Sequence, residues 1–168
     1  LGLEPDAIAA GMRSFPGLDH RMQEIGRIGK VRFVNDSKAT NADAARQAMS
    51  SYDRFFWIAG GVAKAGGIQD LRDLFPRVKH AFLIGEAAEL FEKTIGASAP
   101  CTQSRHLFTA VAQAYAEAER SGKEEIVLFS PACASFDQFK DFEARGDAFK
   151  QAVKEISGSI LTGETVGG

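Results

Sequence analysis

Short apolar runs alternate with amphipathic segments along most of the chain. The runs RFFWIAGG (54–61), HAFLIG (80–85) and EIVLFS (125–130) place hydrophobic residues at successive positions, which is typical of strands buried on both faces. Between them, apolar residues recur at helical spacing, most regularly over 107–120. This alternation predicts a three-layer, Rossmann-like α/β domain with a mostly parallel sheet of five to six strands and helices on both faces.

Cap and turn residues predict the remaining elements. Two short strands surround Gly29, the second over 31–34, and a weak strand covers 99–104. The other helices are predicted over 8–12, 41–50, 70–75, 86–95 and 138–156. We therefore expect one domain over 1–156 and a flexible tail over 157–168, where little apolar surface is left to pack.

Composition removes several classes of function. The chain has 168 residues, 45% of them hydrophobic and 25% charged, with a formal net charge of −2. Basic residues are interleaved with acidic ones, so nothing resembles the basic stripe that nucleic-acid binding needs. There is no apolar run of membrane-spanning length and no signal segment. Only two cysteines, Cys101 and Cys133, occur, and neither lies in a metal-type CxxC motif. We expect a cytoplasmic monomer.

Four strand ends carry the candidate chemistry: NDSKATN (35–41), AGGVAKAGG (59–67), IGEAAE (84–89) and SPACASFDQF (130–139). Ligands of open parallel sheets bind outside the carboxyl ends of the strands. Three of these segments are rich in hydrogen-bond donors, small residues or glycine. The pattern predicts a binding site along this edge.

Each segment also has a purely structural interpretation. Thr40 or Asn41 could cap the following helix, and Ser135 or Asp137 could cap the last one. The glycine-rich stretch around Lys64 could be a flexible loop with a solvated lysine. Amides at the start of the last helix would also suit an anion. Cys133 reads as a small buried thiol, because no histidine accompanies it in the local sequence.

No phosphate-binding loop is present in the sequence. SGKEE (121–125) has the Gly-Lys pair but lacks the upstream glycine and the hydroxyl of G-x-x-x-x-G-K-[ST], and G-x-G-x-x-G does not occur. From the residues alone, the chain is an anion-binding α/β domain whose edge could serve a partner domain.

The strings NDSKATN, GG-x-x-K and, above all, LFSPACASFDQFKDFEARGDAF closely resemble the C-terminal domain of the Mur ligase family, in its D-glutamate-adding branch. The resemblance extends from the first residues to about residue 156. The Asn-Pro-Arg type turn of the branches that add diaminopimelate or lysine is not found, and folylpolyglutamate synthetases share the fold but not these strings.

This resemblance implies a ligase of peptidoglycan synthesis. ATP phosphorylates the carboxylate of UDP-N-acetylmuramoyl-L-alanine, and the amine of D-glutamate attacks the acyl phosphate. The resemblance also implies that Mg²⁺ and most of the ATP are bound by a central domain. Because the chain begins with Leu1 in the middle of a pattern, we expect it to be part of a longer protein, without the UDP-sugar and ATPase domains and inactive alone.

The resemblance assigns roles to individual residues of the amino-acid site. Thr40 and Lys64 match positions that hold the α-carboxylate of D-glutamate. Ser135 and the backbone around Phe136 and Phe142 match positions that hold its side-chain carboxylate. Charge-assisted hydrogen bonds from lysines and hydroxyls suit a dicarboxylate.

Three further residues complete the site, one beside the amino-acid side and two on the nucleotide side. Lys38 lies beside the amino-acid site and is expected to position the substrate by balancing its charges. Asp36 matches a residue that meets the ATP ribose, and Arg21 one that reaches the ATP phosphates. The glycines at 60, 61, 66 and 67 are expected to let the Lys64 loop move as domains close.

Two other functions stay open at this point. One is a related Mur-type or folylpolyglutamate-type ligase that takes a different amino acid. The other is a non-enzymatic α/β module that binds anions.

Overall fold

A computed structural model describes residues 19–162 of the chain. The helix predicted over 8–12 and the part of the predicted tail beyond residue 162 lie outside the described residues. The strands are β1 (Gln23–Ile28), β2 (Val31–Asn35), β3 (Phe55–Gly60), β4 (Val62–Ala63), β5 (Val78–Ile84), β6 (Cys101–Arg105), β7 (Glu125–Phe129) and β8 (Cys133–Ala134).

The main sheet has six strands in the order β1-β2-β7-β3-β5-β6. β1 and β2 form an antiparallel hairpin around Gly29, and every other pair is parallel. The mostly parallel sheet predicted from the sequence is therefore confirmed. The antiparallel pair of β4 and β8 was not predicted, because two residues per strand leave no periodic signal.

Four α-helices and two 3₁₀ segments cover the sheet in the described part of the chain. They are α1 (Ala42–Ser50), a 3₁₀ helix (Gln69–Arg77), α2 (Ala88–Ile95), a 3₁₀ turn (Gly96–Ser98), α3 (Leu107–Arg120) and α4 (Phe142–Thr162). α3 has the predicted bounds. α1 begins after Asn41, whose side-chain oxygen accepts a hydrogen bond from the Ala44 amide at 2.9 Å. Asn41 is thus the N-cap, so Thr40 is not needed for it.

Two cores lie on opposite faces of the sheet. One packs Phe33 and Ile58 against α3 and α4, and the other packs Val34 and Trp57 against α1, α2 and the 3₁₀ helix. Neighbouring residues of one strand thus enter different cores, as the period of two in a strand requires. The three-layer arrangement is confirmed.

The last helix differs from its prediction at both ends. It begins at Phe142 rather than 138, because the Ser135 carbonyl already accepts from the Gln138 and Phe139 amides at 3.2 and 2.9 Å. The N-cap is Asp141, which accepts from the Ala144 amide at 2.7 Å. Neither Ser135 nor Asp137 is this cap. The helix also continues past residue 156 to Thr162, six residues into the predicted tail.

Candidate functional site

Three polar or glycine-rich segments meet at one edge of the sheet, which we call the strand-end edge: 35–41 after β2, 59–67 at the end of β3, and 130–139 after β7. Because β7 lies between β2 and β3 in the sheet, the three segments are neighbours. The Trp57 indole N–H donates to the Ser130 carbonyl at 2.8 Å, which joins β3 to the start of segment 130–139. The segments thus lie together on one edge of the sheet, as the sequence predicted.

Asp36 is held rigidly at this edge although it is only 3% exposed. One carboxylate oxygen accepts from the Met22 amide at 3.0 Å and the other from the Ser130 hydroxyl at 2.7 Å. Its own amide donates to the Phe129 carbonyl at 2.7 Å. Burial raises the pKa of the Asp36 carboxyl to about 6, although these two bonds and the charge of Arg21 act to lower it.

A cavity of about 230 Å³ opens beside Asp36. Arg21 is exposed at its rim, and Lys38 is half-buried. The structure thus brings together Asp36 and Arg21, which the resemblance placed on the nucleotide side, and Lys38, which it placed beside the amino-acid site. The cavity is lined by Arg21, Met22, Asp36, Lys38, Ala39, Ala44 and Gln47.

The raised pKa of Asp36 makes stability depend on pH. The ordinary pKa of 3.8 applies to the unfolded chain, so the folded chain binds this proton more tightly. The stability contributed by that proton is fully present below about pH 4 and is lost as the pH rises through about 6. Asp36→Asn cannot ionise. The free energy of unfolding of this variant, relative to wild type, is expected to rise by about 2 to 3 kcal/mol between pH 4 and pH 7.5.

Urea unfolding of both proteins at the two pH values measures this change. Asp73→Asn is the matched control, because a hydrogen bond from Arg46 lowers the pKa of Asp73 below its ordinary value of 3.8, so the stability of that variant relative to wild type should change little between the two pH values. A difference between Asp36→Asn and wild type that is the same at both pH values would contradict the burial argument.

Segment 35–41 is held in place by His20, a residue that no sequence pattern singled out. His20 has a positive φ of 66° and is 5% exposed, and burial lowers its pKa. Its Nδ1 lies 2.9 Å from the Asn35 side-chain nitrogen, and its carbonyl accepts from the Lys38 amide at 2.9 Å. Asn35 in turn accepts from the Ser37 amide at 3.1 Å. The backbone before Lys38 is therefore fixed on two sides.

Lys38 lies at the border between the Asp36 cavity and the start of α4. Its ammonium group is 4.6 Å from the centroid of the Phe142 ring, a cation–π distance, and it also lines the cavity. Thr40, two residues on, is half-buried, and its hydroxyl makes no hydrogen bond to any residue of 19–162. That hydroxyl is thus available to a ligand.

Lys64 follows β4, which pairs with β8, so the loops carrying Lys64 and Ser135 start from one small ribbon. Lys64 is exposed, and its ammonium group has no hydrogen-bond or ion-pair partner in the described part of the chain. The carbonyl of Lys64 accepts from the Gly67 amide at 3.0 Å and closes the turn.

Two of the four glycines expected to give this loop freedom, Gly60 and Gly61, are packed tightly against neighbouring backbone. A Cβ at Gly60 would lie 2.0 Å from the Ile84 carbonyl oxygen, and one at Gly61 would lie 2.3 Å from the Ala134 carbonyl oxygen. Both residues also have positive φ, 129° and 133°. They serve close backbone packing, so the expectation of mobility was wrong for them. A Cβ at Gly66 or Gly67 would have space.

Ser135 and Phe136 differ sharply in exposure. Ser135 is 2% exposed, and its hydroxyl makes no hydrogen bond within residues 19–162, whereas Phe136 is 73% exposed. Phe142 is the first residue of α4, so its amide has no intrahelical acceptor.

A buried arginine connects these segments. Arg145 donates from Nε to the Ser37 hydroxyl at 3.0 Å and from Nη2 to the Ser37 carbonyl at 2.7 Å. The Ser37 hydroxyl donates to the Phe142 carbonyl at 2.8 Å. Sequence reasoning missed Arg145, although its spacing of four residues from Phe149 places it on the apolar face of α4.

The strand-end edge is suited to binding rather than to nucleophilic chemistry. Cys133 is fully buried, and burial raises the pKa of its thiol to about 12, so it is not a nucleophile. Within residues 19–162 there is no group of three or more His, Cys, Asp or Glu side chains able to hold a metal ion. None of the described helices is both long enough and apolar enough to cross a membrane. What the edge offers is ammonium groups, hydroxyls and amides.

Comparison with known proteins agrees with this geometry. A family model described as the glutamate ligase domain of Mur ligases matches residues 20–133. The chain is 65% identical over 157 residues to the UDP-N-acetylmuramoylalanine--D-glutamate ligase of Caulobacter vibrioides, which covers 94% of this chain and 33% of that protein.

Two further relatives carry the same name. The one from Phenylobacterium zucineum is 58% identical over 157 residues, covering 94% of this chain and 34% of its own length. The one from Rhizobium etli is 56% identical over 169 residues, covering 99% of this chain and 36% of its own length. The chain thus spans about a third of the length of the curated relatives it matches.

Proposed function

The chain belongs to the Mur ligase family, and on that premise we propose that it is the D-glutamate-binding domain of an ATP-dependent ligase. The ligase would join D-glutamate to UDP-N-acetylmuramoyl-L-alanine through an acyl phosphate, in peptidoglycan synthesis, and ATP as a substrate favours the cytoplasm. The proposal is supported by names shared among relatives that are 56% to 65% identical to the chain.

The domain's part in this reaction is to present the amine of D-glutamate to the acyl phosphate. The amine attacks the acyl carbon, and the tetrahedral intermediate releases phosphate to leave the amide. No side chain needs to act as nucleophile, since holding the two reactants together supplies the rate enhancement. This agrees with an edge whose only described cysteine is deeply buried.

The amino-acid side of the site consists of donors without partners. Thr40 and Lys64 would bind the α-carboxylate of D-glutamate. The Ser135 hydroxyl and the amides near Phe136 and Phe142 would bind the side-chain carboxylate. Each of the three side chains lacks a hydrogen-bond partner among residues 19–162, so a carboxylate would displace only water.

The nucleotide side uses Asp36 and Arg21. The carboxylate would accept from a ribose hydroxyl in the 230 Å³ cavity, and Arg21 at its rim would reach the phosphates. No Mg²⁺ site fits the described residues, since they contain no cluster of ligands. In this proposal the metal is held by other domains of the ligase.

One observation carries the proposal. Lys38 lines the Asp36 cavity and at the same time lies 4.6 Å from the Phe142 ring, so a single ammonium group faces both sides of the site. A ligase needs that adjacency, because the nucleotide and the amino acid must react at one acyl group. A simple anion-binding module has no such requirement.

A chimera tests the proposal. The matching third of the C. vibrioides ligase is replaced by this chain, and phosphate release is followed with ATP, UDP-N-acetylmuramoyl-L-alanine and a panel of amino acids. We expect saturable release with D-glutamate and none above background with lysine, diaminopimelate or L-glutamate.

The controls are the C. vibrioides ligase lacking that third, which would have no amino-acid site, and this chain alone, which has no phosphate-binding loop. Both are expected to be inactive. Release with a different amino acid would assign the chain to another ligase. Phosphate release by the pure chain alone would overturn the assignment to a binding domain.

A further inference from the structure

Arg145 is 1% exposed and makes no ion pair with any acid of residues 19–162. Burial lowers its pKa to about 10. Burying a charged group is costly unless opposite charge and hydrogen bonds compensate it, and Asp137 is an acid whose charge acts on this guanidinium. The guanidinium also contacts the Phe129 ring, with its carbon 5.9 Å from the centroid.

All three segments of the strand-end edge meet at this guanidinium. Nε and Nη2 bind the hydroxyl and carbonyl of Ser37, directly before Lys38. Nη1 is buried without a hydrogen-bond partner in the described part of the chain. It lies 3.3 Å from where a Cβ of Gly61 would be, beside the Cys133 side chain. The backbones that lead to Lys38, Lys64 and Ser135 are thus arranged around one side chain.

We propose that Arg145 is a positioning residue for the acidic amino acid, a role that rests on the proposed function. By holding the Ser37 backbone against the Gly61 and Cys133 segments, it fixes the spacing of the donors on Lys38 and Thr40 relative to those on Lys64 and Ser135. Ser37 passes the same constraint to α4 through the Phe142 carbonyl. A dicarboxylate is recognised by the distance between the donors that bind its two carboxylates. Loosening Ser37 changes that distance and so weakens the binding of D-glutamate.

The nucleotide side is fixed independently of Arg145. Asp36 is held by Met22, Ser130 and Phe129, none of which depends on the Ser37 contacts. Loss of Arg145 should therefore raise the KM for D-glutamate much more than that for ATP. A residue that merely supported the fold would weaken both.

The first experiment uses the active chimera with Arg145→Met, which keeps an unbranched side chain but loses the hydrogen bonds. We expect the KM for D-glutamate to rise at least tenfold while the KM for ATP changes less than twofold. Arg145→Lys retains the charge but cannot make the bidentate contact with Ser37. It should therefore recover only a small part of the affinity for D-glutamate that Arg145→Met loses. Ile156→Val, a buried change on the same helix, is the control and should leave both KM values unchanged.

The outcomes separate the two proposals. A wild-type chimera that does not saturate with D-glutamate would overturn the proposed function. A saturating wild type whose KM for D-glutamate is the same in Arg145→Met, or is fully restored by Arg145→Lys, would overturn only the role of Arg145. Equal increases in both KM values would also overturn it.

A second measurement needs no catalysis. Hydrogen exchange of this chain reports the amides of Ser37, Lys38 and Ala39, which are all hydrogen-bonded. In Arg145→Met they should exchange at least tenfold faster, while amides of β2 stay unchanged. Ser37→Ala removes the hydroxyl contact but keeps the bond from Arg145 to the Ser37 carbonyl, so it should increase the exchange rates less. This variant provides the test if Arg145→Met does not fold. Unchanged exchange in both variants would overturn the proposal.

Discussion

Replacing Gly60 by alanine is expected to lower the free energy of unfolding by more than about 4 kcal/mol, among the largest effects of a single methyl group. The added Cβ would lie 2.0 Å from the Ile84 carbonyl oxygen, and Gly60 has a φ of 129°, which side chains of L-residues rarely adopt. Gly60 and Ile84 are partners in the parallel pair β3 and β5, in the interior of the sheet. Neither backbone can move away without breaking that pairing.

Urea unfolding of the variant, measured beside Gly158→Ala, checks this expectation. Gly158 lies in α4, and a Cβ there would have nothing within 4 Å. That substitution should stabilise the protein by about 0.5 to 1 kcal/mol, because alanine favours a helix interior over glycine. A Gly60→Ala protein as stable as wild type would restore the interpretation of Gly60 as a flexible hinge.

The largest functional effects are expected at the two lysines of the strand-end edge. In the chimera, Lys64→Met should raise the KM for D-glutamate by up to about a hundredfold, because the loss of a charged hydrogen bond costs up to about 3 kcal/mol. Lys64 has no other described partner, so its effect on the KM for ATP should be small. Lys38→Met should raise both KM values, since Lys38 lines the Asp36 cavity as well.

Steady-state kinetics with each substrate varied in turn measures these changes. Lys93→Met, at an exposed lysine in the last turn of α2, removes the same charge elsewhere and should change neither KM. If Lys93→Met had an effect as large as that of Lys64→Met, general electrostatic attraction rather than a defined site would explain the data.

The sheet and the position of the site could be predicted from the sequence because their signals are local. Uninterrupted apolar runs such as 55–60, short and rich in aromatic residues, favour strands buried on both faces, and α3 shows its period over four turns. Polar residues at the ends of such runs then lie on one edge by the geometry of parallel strands.

Other features depend on contacts between distant segments and leave no local signal. Within DFEARGD, Arg145 has the pattern of a solvated charge on a helix. Only the fold brings it into contact with Ser37, which is 108 positions away. Gly60 and Gly61 read as loop glycines, and only the approach of Ile84 and Ala134 shows that they are packing positions. α4 starts late because a turn at Ser135 takes up the amides that would have begun it.

The most direct test of the two-sided site compares Thr40→Ala with Asp36→Ala in the chimera. Thr40→Ala removes one donor to a carboxylate, so the KM for D-glutamate should rise about tenfold or more while that for ATP stays nearly constant. Asp36→Ala should raise the KM for ATP and leave that for D-glutamate nearly constant, since a carboxylate suits a ribose hydroxyl and would repel a dicarboxylate. If both substitutions shifted the same KM, segment 35–41 would not divide into a nucleotide side and an amino-acid side.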